Sequence, residues 1–120
     1  MLFVDDEPAI RSAGRQMLEH FGLDVLEAGD GREAIAVFER FGAEIRAVIL
    51  DMTMPQMNGE EAFRELRRLR AEVVVILSSG YNEVEATRKF TSKGLAGFLQ
   101  KPYSPDELAE KLELALGRGT

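Results

Sequence analysis

The amino-acid sequence predicts an α/β domain in which five strands alternate with five helices. Five short apolar segments carry strand-forming residues, and the segments between them repeat apolar residues at helical spacing. The most apolar segment, V-V-V-I-L at residues 73–77, lacks polar–apolar alternation, which is typical of a strand buried on both faces of a parallel sheet. Alternating elements of this length predict a parallel sheet with helices on both faces and right-handed crossovers.

The element boundaries follow from the apolar patterns and from the positions of glycine and proline. The predicted strands cover residues 1–4, 23–28, 47–50, 73–77 and 97–100, with a polar loop at residues 78–82. The first predicted helix runs from Pro8 to Gly22, and the second from the turn at residues 29–31 to Gly42. The third begins at residue 58 or 59, and the fourth covers residues 84–93. The fifth begins at a capping box at residues 104–107 and is followed by a tail at residues 117–120. Gly14 lies inside the first helix, and we expect it to weaken that helix.

The composition is that of one globular domain covering residues 1–120, with 45% hydrophobic and 30% charged residues. No apolar segment approaches the roughly 20 residues of a membrane span. The lack of cysteine fits the cytoplasm, and the net charge of −6 argues against direct nucleic-acid binding. We interpret the arginines of residues 64–70 as the solvated face of a helix and His20 as a partly exposed helix residue. Because the first strand is short at its start, we expect a piece excised from a longer chain.

Polar residues with related chemistry follow the predicted strands. Because every parallel strand delivers its carboxyl end to the same sheet edge, that edge should collect three acids, a hydroxyl pair and a lysine. These residues are Asp5, Asp6, Asp51, Ser78, Ser79 and Lys101. Three neighbouring carboxylates favour a hard divalent cation such as Mg²⁺, which also binds phosphate oxygens. A lysine and a hydroxyl alongside can bind phosphoryl oxygens, so the set is suited to phosphoryl transfer onto a carboxylate.

The chain resembles the receiver domains of bacterial two-component response regulators over its whole length. The matching segments are V-D-D-E at residues 4–7, L-D-M-T-M-P-Q-M-N-G at residues 50–59, S-G at residues 79–80 and K-P at residues 101–102. The resemblance implies a flavodoxin-like fold with strand order 2-1-3-4-5, which would bring Asp5, Asp6 and Asp51 together.

The resemblance also implies roles in binding the metal and the phosphoryl group. Asp51 would be the phosphoacceptor, and Mg²⁺ would be held by Asp5, Asp6, Asp51 and the backbone carbonyl of Thr53. Lys101 matches the lysine of the K-P motif, with a cis peptide before Pro102.

Two further residues match the positions through which a receiver changes state. Ser79, rather than Ser78, matches the switch hydroxyl because a small residue follows it, and Phe98 matches the switch aromatic residue. The surface that would change comprises the predicted fourth helix, fifth strand and fifth helix. Output would then pass to a downstream domain or to self-association through that surface.

The resemblance implies a phosphohistidine donor, carried by a sensor histidine kinase or a histidine phosphotransfer domain. The domain would catalyse its own aspartyl phosphorylation and dephosphorylation without acting as an independent turnover enzyme. The segments S-S-G-Y-N-E and G-F-L-Q-K-P-Y resemble receivers of hybrid sensor histidine kinases. The parent chain could therefore be either a free-standing regulator or a hybrid kinase.

Other functional classes compete with this interpretation. Gly29, Gly31 and Ala34 formally match a dinucleotide-binding fingerprint, with Asp51 about twenty residues further on. That interpretation leaves Asp5, Asp6 and Lys101 unexplained. An aspartyl phosphatase or phosphotransferase typically has a second acid two residues after its nucleophile, where this chain has Thr53. A degenerate receiver that is not phosphorylated would not need the full set of pocket residues.

Overall fold

A computed structural model of the chain describes residues 1–52, 59–79, 96–101 and 103–116. The strands are β1 (Leu2–Val4), β2 (Leu26–Ala28), β3 (Val48–Asp51), β4 (Val75–Ser79) and β5 (Gly97–Gln100). The helices are α1 (Pro8–His20), α2 (Gly31–Phe41), α3 (Gly59–Leu69) and a C-terminal helix (Pro105–Leu116). The predicted fourth helix, the predicted tail and the peptide before Pro102 lie outside the described residues.

The strands form one parallel sheet in the order β2-β1-β3-β4-β5. β1 lies between β2 and β3, so that Leu2 is level with both Leu26 and Val48. The parallel sheet and the strand order expected from the resemblance are therefore confirmed. This order places the carboxyl ends of β1 and β3 side by side, at the point where a doubly wound sheet changes direction.

Two apolar layers cover the sheet, one on each face. One layer packs α2 and α3 against alternate strand residues, and Phe38, Phe63 and Leu66 are its large helix residues. The other layer packs α1 and the C-terminal helix, with Leu18 and Leu108 fully buried. Burial of apolar side chains on both faces explains why the strands lack alternation in sequence.

The first helix ends as the sequence predicts, and its ending shortens the next strand. Gly22 has φ of +82°, and its N–H donates to the Glu19 carbonyl while the Leu23 N–H donates to the Leu18 carbonyl. These two bonds define a Schellman motif, which favours glycine at this position. Because Leu23 still belongs to the helix ending, the second strand begins at Leu26 rather than at residue 23.

The fourth strand differs from the prediction at both ends. It begins at Val75 rather than at residue 73, and it includes Ser78 and Ser79, which we predicted in a loop. Both serines are buried, and pairing continues through Asp51 opposite Ser78 and Ser79 opposite Gln100. Backbone pairing with two neighbouring strands outweighs the loop preference of serine.

The predicted end of the second helix at Gly42 is confirmed, since α2 ends at Phe41, whereas the predicted solvated arginine face is wrong for Arg70. Gly42 keeps right-handed helical dihedrals and begins a short 3₁₀ turn (Gly42–Glu44). The Arg70 side chain donates to the carbonyls of Ile45 and Gly42, and its guanidinium lies 4.8 Å from the centre of the Phe38 ring. Arg70 therefore joins the end of α3 to the turn after α2, whereas Arg64 and Arg68 are exposed.

Gly14 has a packing role that the sequence did not indicate. It is buried in α1, and a Cβ atom at this position would lie 2.2 Å from the nearest atom of the Phe3 ring. Phe3 is 1% exposed, so its ring has little room to move. The glycine therefore lets α1 lie close to β1, which carries Asp5 at its end.

None of the helices in the described part of the chain is long and apolar enough to cross a membrane.

We predict that Gly14→Ala lowers the free energy of unfolding by about 1–2 kcal/mol. The clash with Phe3 should cost roughly 1–3 kcal/mol, and the better helix propensity of alanine should offset up to about 1 kcal/mol. Chemical denaturation measures the change, and the same substitution in a Phe3→Leu background should cost less. Stabilisation by Gly14→Ala, as expected at an exposed helical glycine, would contradict this packing account.

Candidate functional site

The site forms where β1, β3 and β5 end. Asp5 directly follows β1, Asp51 is the last residue of β3, and Lys101 directly follows β5. The Asp5 N–H donates to the Ala28 carbonyl, and the Lys101 N–H donates to the Ser79 carbonyl at 2.7 Å. These backbone bonds continue the sheet for one residue and fix the points from which the side chains leave it.

Lys101 joins the two buried acids. Its Nζ lies 2.8 Å from Oδ2 of Asp5 and 3.1 Å from Oδ1 of Asp51. Asp5 is fully buried and Asp51 is 5% exposed, whereas Asp6 is exposed. A charged hydrogen bond to each carboxylate offsets part of the cost of removing the acids from water.

The three predicted acids lie close enough together to bind one cation. One carboxylate oxygen from each of Asp5, Asp6 and Asp51 lies within 4.8 Å of the others. Asp6 faces solvent while the other two acids are buried, so the cluster is open on one side. Oxygen ligands with an open side suit Mg²⁺, which takes one or two carboxylates and keeps several waters or phosphate oxygens.

The electrostatics of the cluster favour an added cation. Burial, together with the neighbouring charge of Asp5, raises the pKa of Asp51 from 3.8 to about 6, although Lys101 opposes the shift. Burial alone would lower the pKa of Lys101, but its bonds to the two carboxylates raise it above its usual value. One lysine therefore leaves the ionised Asp51 incompletely compensated, and a divalent cation would stabilise that ionised form.

Tyr103, which sequence reasoning missed, also lies near these charges. Burial and then the charges of Asp5 and Asp51 raise the pKa of its hydroxyl above the usual value. The Tyr103 hydroxyl is therefore neutral at physiological pH, and Tyr103 lines the apolar cavity that Lys101 also borders. Its position two residues after Lys101 was the available signal.

Each polar atom of Asp5 has a partner. The Glu7 N–H donates to Oδ1 at 2.9 Å, Lys101 donates to Oδ2, and Arg11 Nη1 donates to the backbone carbonyl at 2.8 Å. Sequence reasoning assigned Arg11 no role. The available signal was its position six residues after Asp5, in the first turns of α1.

The predicted switch residues lie on β4, which neighbours β3, and on β5, which neighbours β4. Ser78 is level with Asp51, and Ser79 is one residue further along β4. Phe98 on β5 is level with Leu77 and is buried in the layer that contains Phe63. Thr53, the predicted carbonyl ligand, lies outside the described residues.

The structure argues against a dinucleotide site at the glycine turn. Asp30 caps α2 by accepting the Glu33 N–H at 2.8 Å, and Glu33 accepts the Gly29 N–H at 2.7 Å. The Gly29 and Glu33 N–H groups are therefore already bonded to side chains of this turn, whereas a dinucleotide site would use such N–H groups to bind the pyrophosphate. In addition, β1 separates β2 from β3, so Asp51 does not end the strand beside the glycine turn.

Comparisons with known proteins agree with this fold. The family model described as "Response regulator receiver domain" matches residues 1–113. The sensor kinase CckA of Brucella abortus is 38% identical over 109 residues, which are 91% of this chain and 12% of that protein. The transcriptional regulatory protein TrcR of Mycobacterium tuberculosis is 31% identical over 120 residues, which are 100% of this chain and 46% of that protein.

Solved structures are similar over nearly the whole chain. A response regulator receiver domain protein from Clostridium thermocellum has a TM-score of 0.90 at 28% identity, covering 96% of this chain and 91% of that one. The Vibrio cholerae chemotaxis protein CheY4 has a TM-score of 0.89 at 30% identity, covering 96% of each chain. The chain thus spans an eighth to about half of the curated relatives named above but most of these single-domain structures.

We predict that Asp51→Asn stabilises the metal-free protein at pH 7.5 by about 1–2 kcal/mol. The folded-state pKa of about 6 exceeds the unfolded value of 3.8, so ionised Asp51 costs stability above pH 6. A shift of two units would be worth roughly 3 kcal/mol, and solvent at the open side of the cluster reduces this. The gain should shrink between pH 6 and pH 4 and vanish below, where the acid is protonated in both states.

Urea denaturation over this pH range measures the difference between the two proteins. Glu44→Gln, which neutralises an exposed acid on the turn after α2, serves as the control and should show no comparable pH-dependent gain. Equal stability of Asp51→Asn and wild type at pH 7.5 would contradict the uncompensated charge.

Proposed function

Because the chain belongs to the family of response regulator receiver domains of two-component signalling, we propose that Asp51 accepts a phosphoryl group from phosphohistidine. The main support for the proposal is that Lys101 forms ion pairs with the buried acids Asp5 and Asp51 and that a third acid, Asp6, lies beside them. A lysine and three carboxylates at one sheet edge match the chemistry of charge-neutralised phosphoryl transfer.

The transfer step follows from the chemistry of Asp51. A carboxylate oxygen of Asp51 attacks the phosphorus atom, a P–O bond forms, and the P–N bond to the donor histidine breaks. The bonding electrons leave with the imidazole nitrogen, and the product on this chain is an acyl phosphate. To end the signal, a water oxygen attacks phosphorus and loses its protons to phosphate or solvent while the P–O bond to Asp51 breaks. The bonding electrons return to the Asp51 oxygen, so inorganic phosphate leaves and the carboxylate is restored.

Receiver domains generally bind Mg²⁺ at an acidic pocket, and the described residues contain such a cluster. In our proposal Asp5, Asp6 and Asp51 hold the ion, together with the Thr53 carbonyl expected from the family pattern. The bound ion supplies neutralisation of the charge on the transferred phosphoryl oxygens. A bound cation would lower the free energy of an edge that is otherwise strongly acidic.

Lys101 is proposed to change partners during the reaction. Before transfer it compensates Asp5 and Asp51, which lie 2.8 and 3.1 Å from its Nζ. After transfer the phosphoryl oxygens are the more strongly charged acceptors, and Lys101 can bind one of them without leaving Asp5. Its raised pKa keeps the amine charged before transfer.

The output is proposed to begin with Ser79 and Phe98. Ser79 would donate its hydroxyl to the phosphoryl group, and Phe98 would move into the space that Ser79 leaves. Phe98 is 4% exposed and packs in the same apolar layer as Phe63, so any change in its position must alter that layer. The affected surface would be the one built from the predicted fourth helix, β5 and the C-terminal helix, a two-state shift biased by one local charge.

Receiver domains interact with histidine kinases or phosphotransfer proteins, and we propose a partner of this kind here. An apolar cavity of about 460 Å³ adjoins the site, lined by Ala9, Ile10, Ala13, Gly14, Met17, Lys101 and Tyr103. Since Lys101 borders both the cavity and the acid cluster, a helix that carries the donor histidine could seat its apolar face there. The match to part of CckA supports, as one alternative, a parent chain that is itself a hybrid sensor kinase.

We predict that a small-molecule phosphodonor such as acetyl phosphate, with Mg²⁺, adds one phosphoryl group to the wild-type chain. Asp51→Asn should abolish this labelling because the amide is a far weaker nucleophile than the carboxylate. Intact-mass spectrometry and loss of the label in hydroxylamine, which cleaves acyl phosphates, measure the outcome.

Asp30→Asn is the matched control, because it makes the same substitution at an acid that caps α2 outside the cluster. It should be labelled like the wild type. Labelling that persists in Asp51→Asn would contradict the assignment of Asp51 as the phosphoacceptor. Labelling that needs no divalent cation would contradict the proposed role of the metal.

A further inference from the structure

We propose that Arg11 is a positioning residue for the metal ligands Asp5 and Asp6. This inference rests on the proposed function, because it concerns the same Mg²⁺ pocket. Arg11 Nη1 donates to the backbone carbonyl of Asp5 at 2.8 Å, and the Arg11 side chain is 23% exposed. Through this hydrogen bond, the Arg11 side chain holds the peptide group that joins Asp5 to Asp6.

The position of Arg11 is fixed from two other directions. Its Nε lies 3.3 Å from Oε1 of Glu27 on β2, a residue level with Phe3 on β1. A Cβ atom at Gly29 would lie 3.3 Å from Arg11 Nη1, so the lack of a side chain there leaves room for the guanidinium. Arg11 therefore bridges the ends of β1 and β2 from the first turns of α1.

The bonded carbonyl controls the direction in which Asp6 leaves the sheet. β1 ends at Val4, and the Asp5 N–H makes the last bond to β2 by donating to the Ala28 carbonyl. The Asp5 carbonyl belongs to the planar peptide unit that ends at the Asp6 nitrogen, so holding this oxygen restricts rotation about Asp5 ψ and Asp6 φ. Together with the side-chain dihedral angles of Asp6, these two angles determine where its carboxylate lies.

Asp6 depends on this restraint more than its neighbours do. Within the described residues, Lys101 forms ion pairs with Asp5 and Asp51. Asp5 is held further by the Glu7 N–H, and both Asp5 and Asp51 are buried, whereas Asp6 is exposed. A residue that orients a metal ligand from outside its coordination shell typically changes metal affinity by about 10- to 100-fold.

The charge of Arg11 is compensated locally, so its effect on the cation should be geometric. Glu27 forms an ion pair with Arg11 at 3.3 Å and accepts a hydrogen bond through Oε2 at 2.6 Å from Arg15, which also bonds Glu19 at 3.2 Å. Two cations and two anions form this network. If net repulsion by Arg11 governed the site instead, removing Arg11 would tighten Mg²⁺ binding.

Arg11→Met tests the inference, with Arg15→Met as a matched control that removes a guanidinium from the same helix and the same glutamate. Titration calorimetry measures the Mg²⁺ dissociation constant, and thermal unfolding is followed with and without Mg²⁺. We expect Arg11→Met to weaken Mg²⁺ binding about tenfold and Arg15→Met to change it less than about twofold. Arg11→Lys, which keeps one long donor, should recover part of the affinity.

The Mg²⁺ dissociation constant and the unfolding temperatures together distinguish a structural role of Arg11 from a positioning role. A merely structural residue would lower the unfolding temperature equally with and without Mg²⁺ and leave the dissociation constant unchanged. A positioning residue reduces the Mg²⁺-dependent part of the temperature shift. Half-maximal phosphorylation should then need about ten times more Mg²⁺, with the rate at saturating Mg²⁺ preserved.

Asp6→Ala, measured alongside, distinguishes this inference from the proposed function. If Asp6→Ala weakens Mg²⁺ binding and both Arg11 variants bind like the wild type, the role of Arg11 is overturned while the proposed function stands. If the wild type binds no Mg²⁺, or if Asp6→Ala binds it unchanged, both are overturned. If Arg11→Met does not fold by circular dichroism, the comparison between wild type and Arg11→Lys decides, with unchanged affinity overturning the inference.

Discussion

The ion pairs of one lysine with two buried carboxylates are the interaction on which the rest of this structure depends. Lys101 bonds Asp5 and Asp51, yet Asp51 retains a pKa of about 6, so the folded chain holds more negative charge at this edge than one lysine neutralises. Such an edge favours a bound cation, which offsets the cost of the uncompensated charge, and Lys101 can then bind an oxygen of an added phosphoryl group. The reactivity that we propose for Asp51 follows from this imbalance, which a single acid at a strand end would not create.

The fold creates the imbalance through strand order. Because β1 lies between β2 and β3, residues that are 46 apart in sequence, Asp5 and Asp51, meet at neighbouring strand ends. β5 then delivers Lys101 after its N–H has paired with Ser79 on β4. Gly14 contributes to the geometry of the site without touching it. Because it has no side chain, α1 lies against Phe3, and Arg11 on the same helix reaches the Asp5 carbonyl. The site is therefore as much a product of helix–sheet packing as of its acids.

Much of this could be predicted from sequence, for reasons that differ from residue to residue. The strands, the helix ending at Gly22 and the capping box of Ser104 and Glu107 follow from local patterns and were confirmed. The meeting of the three acids needed the strand order, which came from the family resemblance. The strand positions of Ser78 and Ser79 depend on pairing with two neighbours, which local propensity does not report. The contacts of Arg11, Arg70 and Tyr103 depend on three-dimensional packing, and for Arg11 and Tyr103 the sequence offered only their closeness to Asp5 and Lys101.

The most direct test of the central claim is an NMR titration of the Asp51 carboxyl carbon, assigned by comparison with Asp51→Asn. We expect the pKa of Asp51 to lie near 6 without divalent cations and to fall when Mg²⁺ is present, because the cation stabilises the ionised form. A pKa near the ordinary 3.8 without metal, or one that Mg²⁺ leaves unchanged, would contradict it.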